Sequence, residues 1–342
     1  MSWPTAQRVI DQFLQQVPEH ADRSTITFFG GEPTLEFDLI KKCIAYSFSH
    51  KTTGQYSGKG YNYVINTNGT ILTEEMYQLY GRLGKRLNLR VSADGFKDGH
   101  DATRKQRNGR GSWDLLEKNL TYYRNLKEKF GVDIYLISTI NKSSFRDIYY
   151  NFTKLHEYTG MQLGCLFVHE DPWEKQDFEL LKEQVLRLKD YSLRNRISMP
   201  LCRTGNTNAS QAIEGYRPIC GAGYNSYTVT PHGDLFACHR CSYNDLGGDF
   251  WLGTLDSGFH PDRVSHMREL NSVRQMPEKC WTCLPVIREK CHVCLASNKE
   301  AYGHSHRVSD DYCNFMNEIH ALVTEKEKIF TSLRSPAGTE SS

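Results

Sequence analysis

The alternation of the first two hundred residues limits the fold more than any other feature of the chain. "STITFFG" reads as a strand, and "LEFDLIKKCIAYSFSH" puts Leu39, Ile40, Cys43 and Ile44 on one helical face. "YNYVINTNG", "LNLRVSADG", "VDIYLISTIN" and "MQLGCLFVHED" are further strands. Between and after them lie helical patterns: "LTEEMYQLYGRLG", "GSWDLLEKNLTYYRNLKEKFG", "SSFRDIYYNFTKLHEYTG" and "PWEKQDFELLKEQVLRLKDYSLRN". Thr73 and Ser112 stand at N-cap positions, Gly84 and Gly131 follow helix ends, and Pro172 sits near a first turn. Repeated strand-then-helix units predict an α/β fold of parallel strands joined by right-handed crossovers. The pattern opens on a helix, Thr5 to about Gln16, where a barrel-like sheet would open on a strand.

Polar residues collect where the strands end: Gly30-Gly31-Glu32, Asn66 to Gly69, Ser92 to Gly95, Asn141, and His169-Glu170-Asp171. Asn, Asp and Gly are ordinary turn formers. Five such groups along one rim point to a ligand there, because parallel sheets bind ligands at the C-terminal ends of their strands.

After about Ser198 the alternation stops. "ISMPLCRTGNTNASQAIEGYRP" is linker-like, and a cysteine-rich segment follows with strand-like "NSYTVTPHGDLFAC" and a closing helix, about Asp310 to Leu333. The expected organisation is an α/β domain over 1–197, a linker over 198–216, a cysteine-rich domain over 217–333 and a disordered tail over 334–342. Eight of the eleven cysteines lie between Cys220 and Cys313. With no signal-peptide layout at the N-terminus, the cytoplasm is the expected compartment, and clustered thiols there read as metal ligands before disulfides. The candidates are Cys220, Cys238, Cys241, Cys280, Cys283, Cys291, Cys294 and Cys313. Four thiolates suit either zinc or an iron–sulfur cluster, and spacing alone leaves both open. Cys43, Cys165 and Cys202 read as packing or surface residues. A net charge of +2 makes no bulk case for nucleic acid, and no apolar run is long enough to span a bilayer.

"GGEP" after a strand, "NTNGT" after the next, then "VSADG", "HDATRKQRNGRGSWD" and the cysteine order resemble the radical S-adenosylmethionine enzymes with a SPASM domain. That group includes peptide and sulfatase maturases. The likeness runs from Met1 to about Glu325. It implies a partial parallel (β/α) barrel of the radical SAM type lacking its first strand, followed by a SPASM domain. It further implies that Gly30, Gly31, Glu32 and Pro33 meet the methionine amino group of the cofactor, that Asn68 and Ser92 lie along it, and that Arg104 meets its carboxylate. Two auxiliary [4Fe-4S] clusters are implied: one on Cys220, Cys238, Cys294 and Cys241, the other on Cys280, Cys283, Cys291 and Cys313. The implied reaction is hydrogen-atom abstraction from a peptide or protein, with or without a leader segment, served by an external electron donor. No catalytic residue is assigned.

The chain departs from the family in one large respect. The C-x3-C-x2-C motif that holds the cofactor-cleaving cluster is absent from these 342 residues. Met1 is expected to be a mis-set or truncated start, and the chain as given is expected to be inactive alone. His239 stands where sulfatase maturases carry an Asp, which favours peptide over sulfatase maturation. The rival readings are a non-catalytic peptide-binding module carrying zinc or iron–sulfur, and an electron carrier.

Overall fold

A computed structural model of the chain describes residues 1–16, 24–52, 61–168, 171–197, 218–242, 246–283, 293–318 and 321. Helix α1 (Trp3–Gln16) precedes five strands: β1 (Ser24–Phe28), β2 (Tyr61–Thr67), β3 (Leu87–Ser92), β4 (Asp133–Ile140) and β5 (Gln162–Phe167). All four neighbouring pairs are parallel, in the order β1-β2-β3-β4-β5. The connecting helices are α2 (Phe37–Thr52), α3 (Glu74–Leu83), α4 (Lys97–Thr103), α5 (Trp113–Phe130) and α6 (Ile148–Thr159), and α7 (Lys175–Arg194) follows β5. The expected α/β architecture is what the chain adopts.

Residue alternation divides the sheet into two unlike faces. Tyr63, Ile65, Leu87, Leu89, Ile134, Leu136 and Leu163 point into the main core with Trp113, Leu116, Leu120 and Tyr123 of α5. The intervening residues, such as Asn62, Asn66, Asn88, Arg90 and Tyr135, are only partly buried or exposed. Helix ends follow local chemistry. Thr73 caps α3 through its hydroxyl, which accepts from Met76 N at 3.2 Å. Gly131 ends α5 with φ at 71°, where its N–H reaches the carbonyls of Leu126 and Lys127.

Two expectations about helix starts are corrected. Ser112 does not cap α5 with its side chain. Asp101 Oδ1 accepts from Trp113 N at 2.8 Å instead, and the Ser112 hydroxyl is spent on His100 and on the Arg104 carbonyl. Pro172 lies three residues before α7, whose start is held by Asp177 Oδ2 accepting from Glu174 N at 3.0 Å. Short α4 was not expected, because seven residues of "KDGHDAT" carry no helical apolar stripe.

A second, antiparallel sheet joins β6 (Thr228–Val229), β7 (Asp234–Phe236), β8 (Trp251–Thr254) and β9 (Gly258–Phe259). Helices α8 (Gly247–Phe250), α9 (Pro261–Leu270) and α10 (Leu295–Tyr302) accompany it. Its own core holds Leu235, Phe250, Leu252, Met267 and Leu295. The helical segment 310–318 contributes Tyr312, Phe315 and Met316 to the first core, where Phe315 stacks on Phe178 with centroids 5.1 Å apart. Arg8 on α1 bonds the Leu255 carbonyl (2.9 Å) and Asp256 (2.6 Å) in the β8–β9 turn. No helix among the described residues is long and apolar enough to cross a membrane.

Candidate functional site

The C-terminal ends of β1 to β4 bring the rim residues together. Gly30 and Gly31 follow β1, and a Cβ built on either meets nothing within 4 Å. Neither has the positive φ that would demand glycine. Gly69 and Gly95 differ: both have positive φ, and a Cβ would fall 2.6 Å from Val91 and 2.5 Å from Asn151. The packed glycines are explained by their neighbours. Gly30 and Gly31 are explained by no described neighbour, so they form an open backbone cradle that a ligand can approach closely.

Glu32 is tied into the protein. Its Oε1 accepts from Thr34 N (3.1 Å), Thr34 Oγ1 (2.6 Å) and Thr67 Oγ1 (2.8 Å), and its Oε2 accepts from Asn68 N (2.7 Å). The carboxylate stitches the end of β1 to the end of β2. Pro33 opens a short 3-10 turn after it. Asn68 Oδ1 accepts from Thr70 N at 2.9 Å, and Asn141 Oδ1 accepts from Ser143 N and Ser144 N, each at 3.0 Å. Those two oxygens act as turn formers. Ser92 ends β3, half-buried.

Arg104 is held by a residue to which the sequence assigned little more than a turn. Asp94 is 4 % exposed in its side chain and accepts from Arg104 Nε (2.7 Å), Arg104 Nη2 (3.1 Å), Thr103 Oγ1 (2.9 Å) and Thr139 N (2.7 Å). The pair fixes the guanidinium at the junction of β3 and β4 while part of it stays open to solvent. His100 supports the arrangement from below. It is fully buried with its Nε2 3.0 Å from Ser112 Oγ, and Ser112 donates to the Arg104 carbonyl at 3.1 Å. Burial, reinforced by the Arg104 charge and opposed by Asp94, lowers its pKa to about 4. The sequence signal for Asp94 was present: an Asp two residues past a strand, with an Arg ten residues on. His169 and Glu170 lie outside the described residues.

The cysteines fall into two groups. Cys241 is buried in the second core, with Cys220, Cys238 and Cys294 packed against it. The thiols of Cys220 and Cys241 feel the charges of Cys238 and Cys294. Burial pushes Cys220 up to about 12, whereas the hydrogen bond from Cys241 draws Cys238 down. Cys313 is pushed up to about 11 by burial and senses Cys280 and Cys283. Cys291 and Cys202 lie outside the described residues. Among the described residues no three acidic, histidine or cysteine side chains are arranged around a single metal ion. The donor set is all sulfur, which zinc and an iron–sulfur cluster both accept. Cys43 and Cys165 are buried away from both groups. At the junction of rim and cysteine region, Phe29 packs on His239 with centroids 4.3 Å apart.

Residues 2–149 match the Radical SAM superfamily. The chain carries a radical SAM domain. In fold, native anSMEcpe with bound AdoMet superposes with a TM-score of 0.73 at 15 % identity, covering 98 % of this chain and 91 % of that one. SuiB of Streptococcus suis superposes with a TM-score of 0.56 at 14 % identity, covering 92 % and 71 %. In sequence, part of the chain is similar to a cysteine-type anaerobic sulfatase-maturating enzyme of Clostridium novyi (strain NT), 27 % identical over 47 % of this chain and 42 % of that protein. Part of the chain is also 35 % identical to Fe-coproporphyrin III synthase of Methanosarcina barkeri, over 39 % of this chain and 29 % of that enzyme. The chain thus matches less than half the length of these curated relatives.

Proposed function

We propose that these residues form the cofactor-orienting and auxiliary-cluster regions of a radical SAM maturase acting on a peptide or protein. The open Gly30-Gly31 cradle carries the reading, because it is built for something the described residues do not supply. S-adenosylmethionine fits it: its ammonium needs acceptors, which the rim backbone carbonyls provide, and its carboxylate needs a donor, which Arg104 provides. Glu32 acts through the backbone it fixes rather than as a free acceptor. Ser92 and the Asn68 amide flank the ligand. Cys220, Cys238, Cys241 and Cys294 would hold one auxiliary [4Fe-4S] cluster, and Cys280, Cys283, Cys291 and Cys313 a second. With a reducing cluster beside it, the cofactor supplies abstraction of a hydrogen atom from the substrate. An external donor provides the electron, and the chain works in the cytoplasm. Fold neighbours solved as anSMEcpe with bound AdoMet and the peptides Cp18Cys or Kp18Cys support a peptide substrate. A non-catalytic binding module would leave the open cradle without a use.

The test is 5′-deoxyadenosine formation under reducing, anaerobic conditions. The 342-residue chain is expected to make none, since it contains no C-x3-C-x2-C. The same chain joined to a segment bearing that motif is expected to make it. In that longer form Gly31→Val should fold with an unchanged Tm, because its Cβ meets nothing, and should lose the cofactor. Product from the 342 residues unaided, or cofactor binding unaffected by Gly31→Val, would overturn the reading.

A further inference from the structure

Parallel sheets usually carry helices on both faces, and their strands then read as nearly continuous apolar runs. This sheet is apolar on one face only. On the other, the register lines up Asn66, Arg90, Tyr135 and Gln162 in one row across β2 to β5. The next row toward the rim holds Ser92, Ile137 and Gly164. A polar face running through the middle of a parallel sheet asks for a polar ligand.

Arg90 is the cation of the first of these rows. It lies on the central strand, two residues and roughly 7 Å below Ser92, and it is exposed. Strands enclose it on either side, and this desolvation lowers its pKa. Its Nε donates to Asn88 Oδ1 at 3.3 Å, and Asn88 Nδ2 donates to Asp133 Oδ2 at 2.7 Å. That ladder orients the guanidinium while placing Asn88 between it and the Asp133 charge. Among the described residues Arg90 forms no ion pair, and its two terminal nitrogens make no hydrogen bond. Toward the rim, beside Ser92, the face also carries the apolar side chains of Ile137, Leu166 (51 % exposed) and Phe29 (44 % exposed).

We propose that Arg90 anchors a carboxylate of the substrate peptide on this face, just below the cofactor rim. The proposal rests on the peptide reading above and adds a substrate class to it. A guanidinium whose terminal donors are free matches a carboxylate through two parallel hydrogen bonds, which a neutral side chain cannot reproduce. Asn66 adds an amide donor beside it in the row. The apolar lip suits the aliphatic stem above such a carboxylate. Arg104 serves the cofactor and Arg90 the substrate, and the Asp94 pairing keeps the first from reaching the site of the second.

The experiment screens the 342-residue chain against an immobilised random heptapeptide library, beside Arg90→Gln, Arg90→Lys and, at an exposed arginine away from the sheet, Arg110→Gln, with circular dichroism checking the fold of each. Wild type should enrich carboxylate-bearing peptides. Arg90→Gln should lose that bias, Arg90→Lys should keep part of it, and Arg110→Gln should keep it all. An enriched peptide is then remade with Glu→Gln or Asp→Asn, or with an amidated C-terminus, which tells a side-chain carboxylate from a terminal one. Removing the right carboxylate should weaken wild-type binding about tenfold and leave Arg90→Gln binding unchanged. Peptides captured without acidic bias, a bias that survives Arg90→Gln, or one lost equally in Arg110→Gln would overturn the anchor and leave the peptide reading standing. Capture of no peptide by wild type would overturn both.

Discussion

Glu32 and His100 show how much of this site is spent on holding itself. The Glu32 carboxylate accepts four hydrogen bonds from Thr34, Thr67 and Asn68, so the rim carbonyls beside it are placed before any ligand arrives. His100 does the same for Arg104 through Ser112, at an electrostatic cost. Its folded pKa is lowered from 6.5 to about 4. Between those values the unfolded chain binds the proton and the folded chain does not, so stability rises with pH across the window. The contribution is complete above pH 6.5 and is lost as pH falls toward 4, about 3 kcal/mol in all. His100→Asn should therefore flatten the pH dependence of the urea midpoint between pH 6.5 and 4 relative to wild type. The pKa of His156 is also lowered by burial, but it is common to both proteins and cancels in the comparison. Parallel wild-type and variant curves would show that His100 protonates freely in the folded state.

At the scale of elements, the segment 310–318 ties the cysteine-rich part of the chain to the first core. Phe315 is 3 % exposed, stacks on Phe178 and meets Phe167 edge-on at 5.8 Å. Phe178 in turn stacks on Trp173 at 5.9 Å. Truncating a buried Phe removes its apolar burial and leaves a cavity. Phe315→Ala is expected to cost about 3–5 kcal/mol, read by the Trp173 fluorescence transition in denaturant. A change below about 0.5 kcal/mol, within the range of an ordinary surface substitution, would mean that the segment does not pack on α7.

For the whole molecule, the prediction concerns metal. Anaerobic reconstitution with iron and sulfide should load about eight irons per chain, as two four-iron clusters on two thiolate groups. Cys241→Ala and Cys313→Ala should each lower the count by about half, whereas Cys43→Ala should leave it intact, since Cys43 packs with Ala6 and Ile10. Metal-linked folding free energy is on the order of 10 kcal/mol at structural sites, so the two ligand variants should also melt lower in the loaded form. Stoichiometric zinc with no charge-transfer absorbance, or full iron in Cys241→Ala, would refute the assignment.

The sequence by itself determined the five parallel strands, most helix ends and the gathering of polar residues at the strand C-termini. Those follow from short-range rules: period-2 and period-3.6 apolar patterning, a threonine cap, and glycines at positive φ. It also carried the "GGEP" and "VSADG" signatures that mark a radical SAM domain. Only the tertiary structure decided which polar groups are spent and which are free. Glu32 reads as a ligand-binding carboxylate until Thr67 and Asn68, 35 and 36 residues away, take up its oxygens. Asp94 reads as a turn until Arg104 and Thr139 converge on it. Arg90 reads as one basic residue in a strand until the register places it on the polar face of the sheet, in a row with Asn66 and Tyr135. A hydrogen-bonding side chain is satisfied by whichever partner the fold brings near, and local sequence does not encode that partner's distance along the chain.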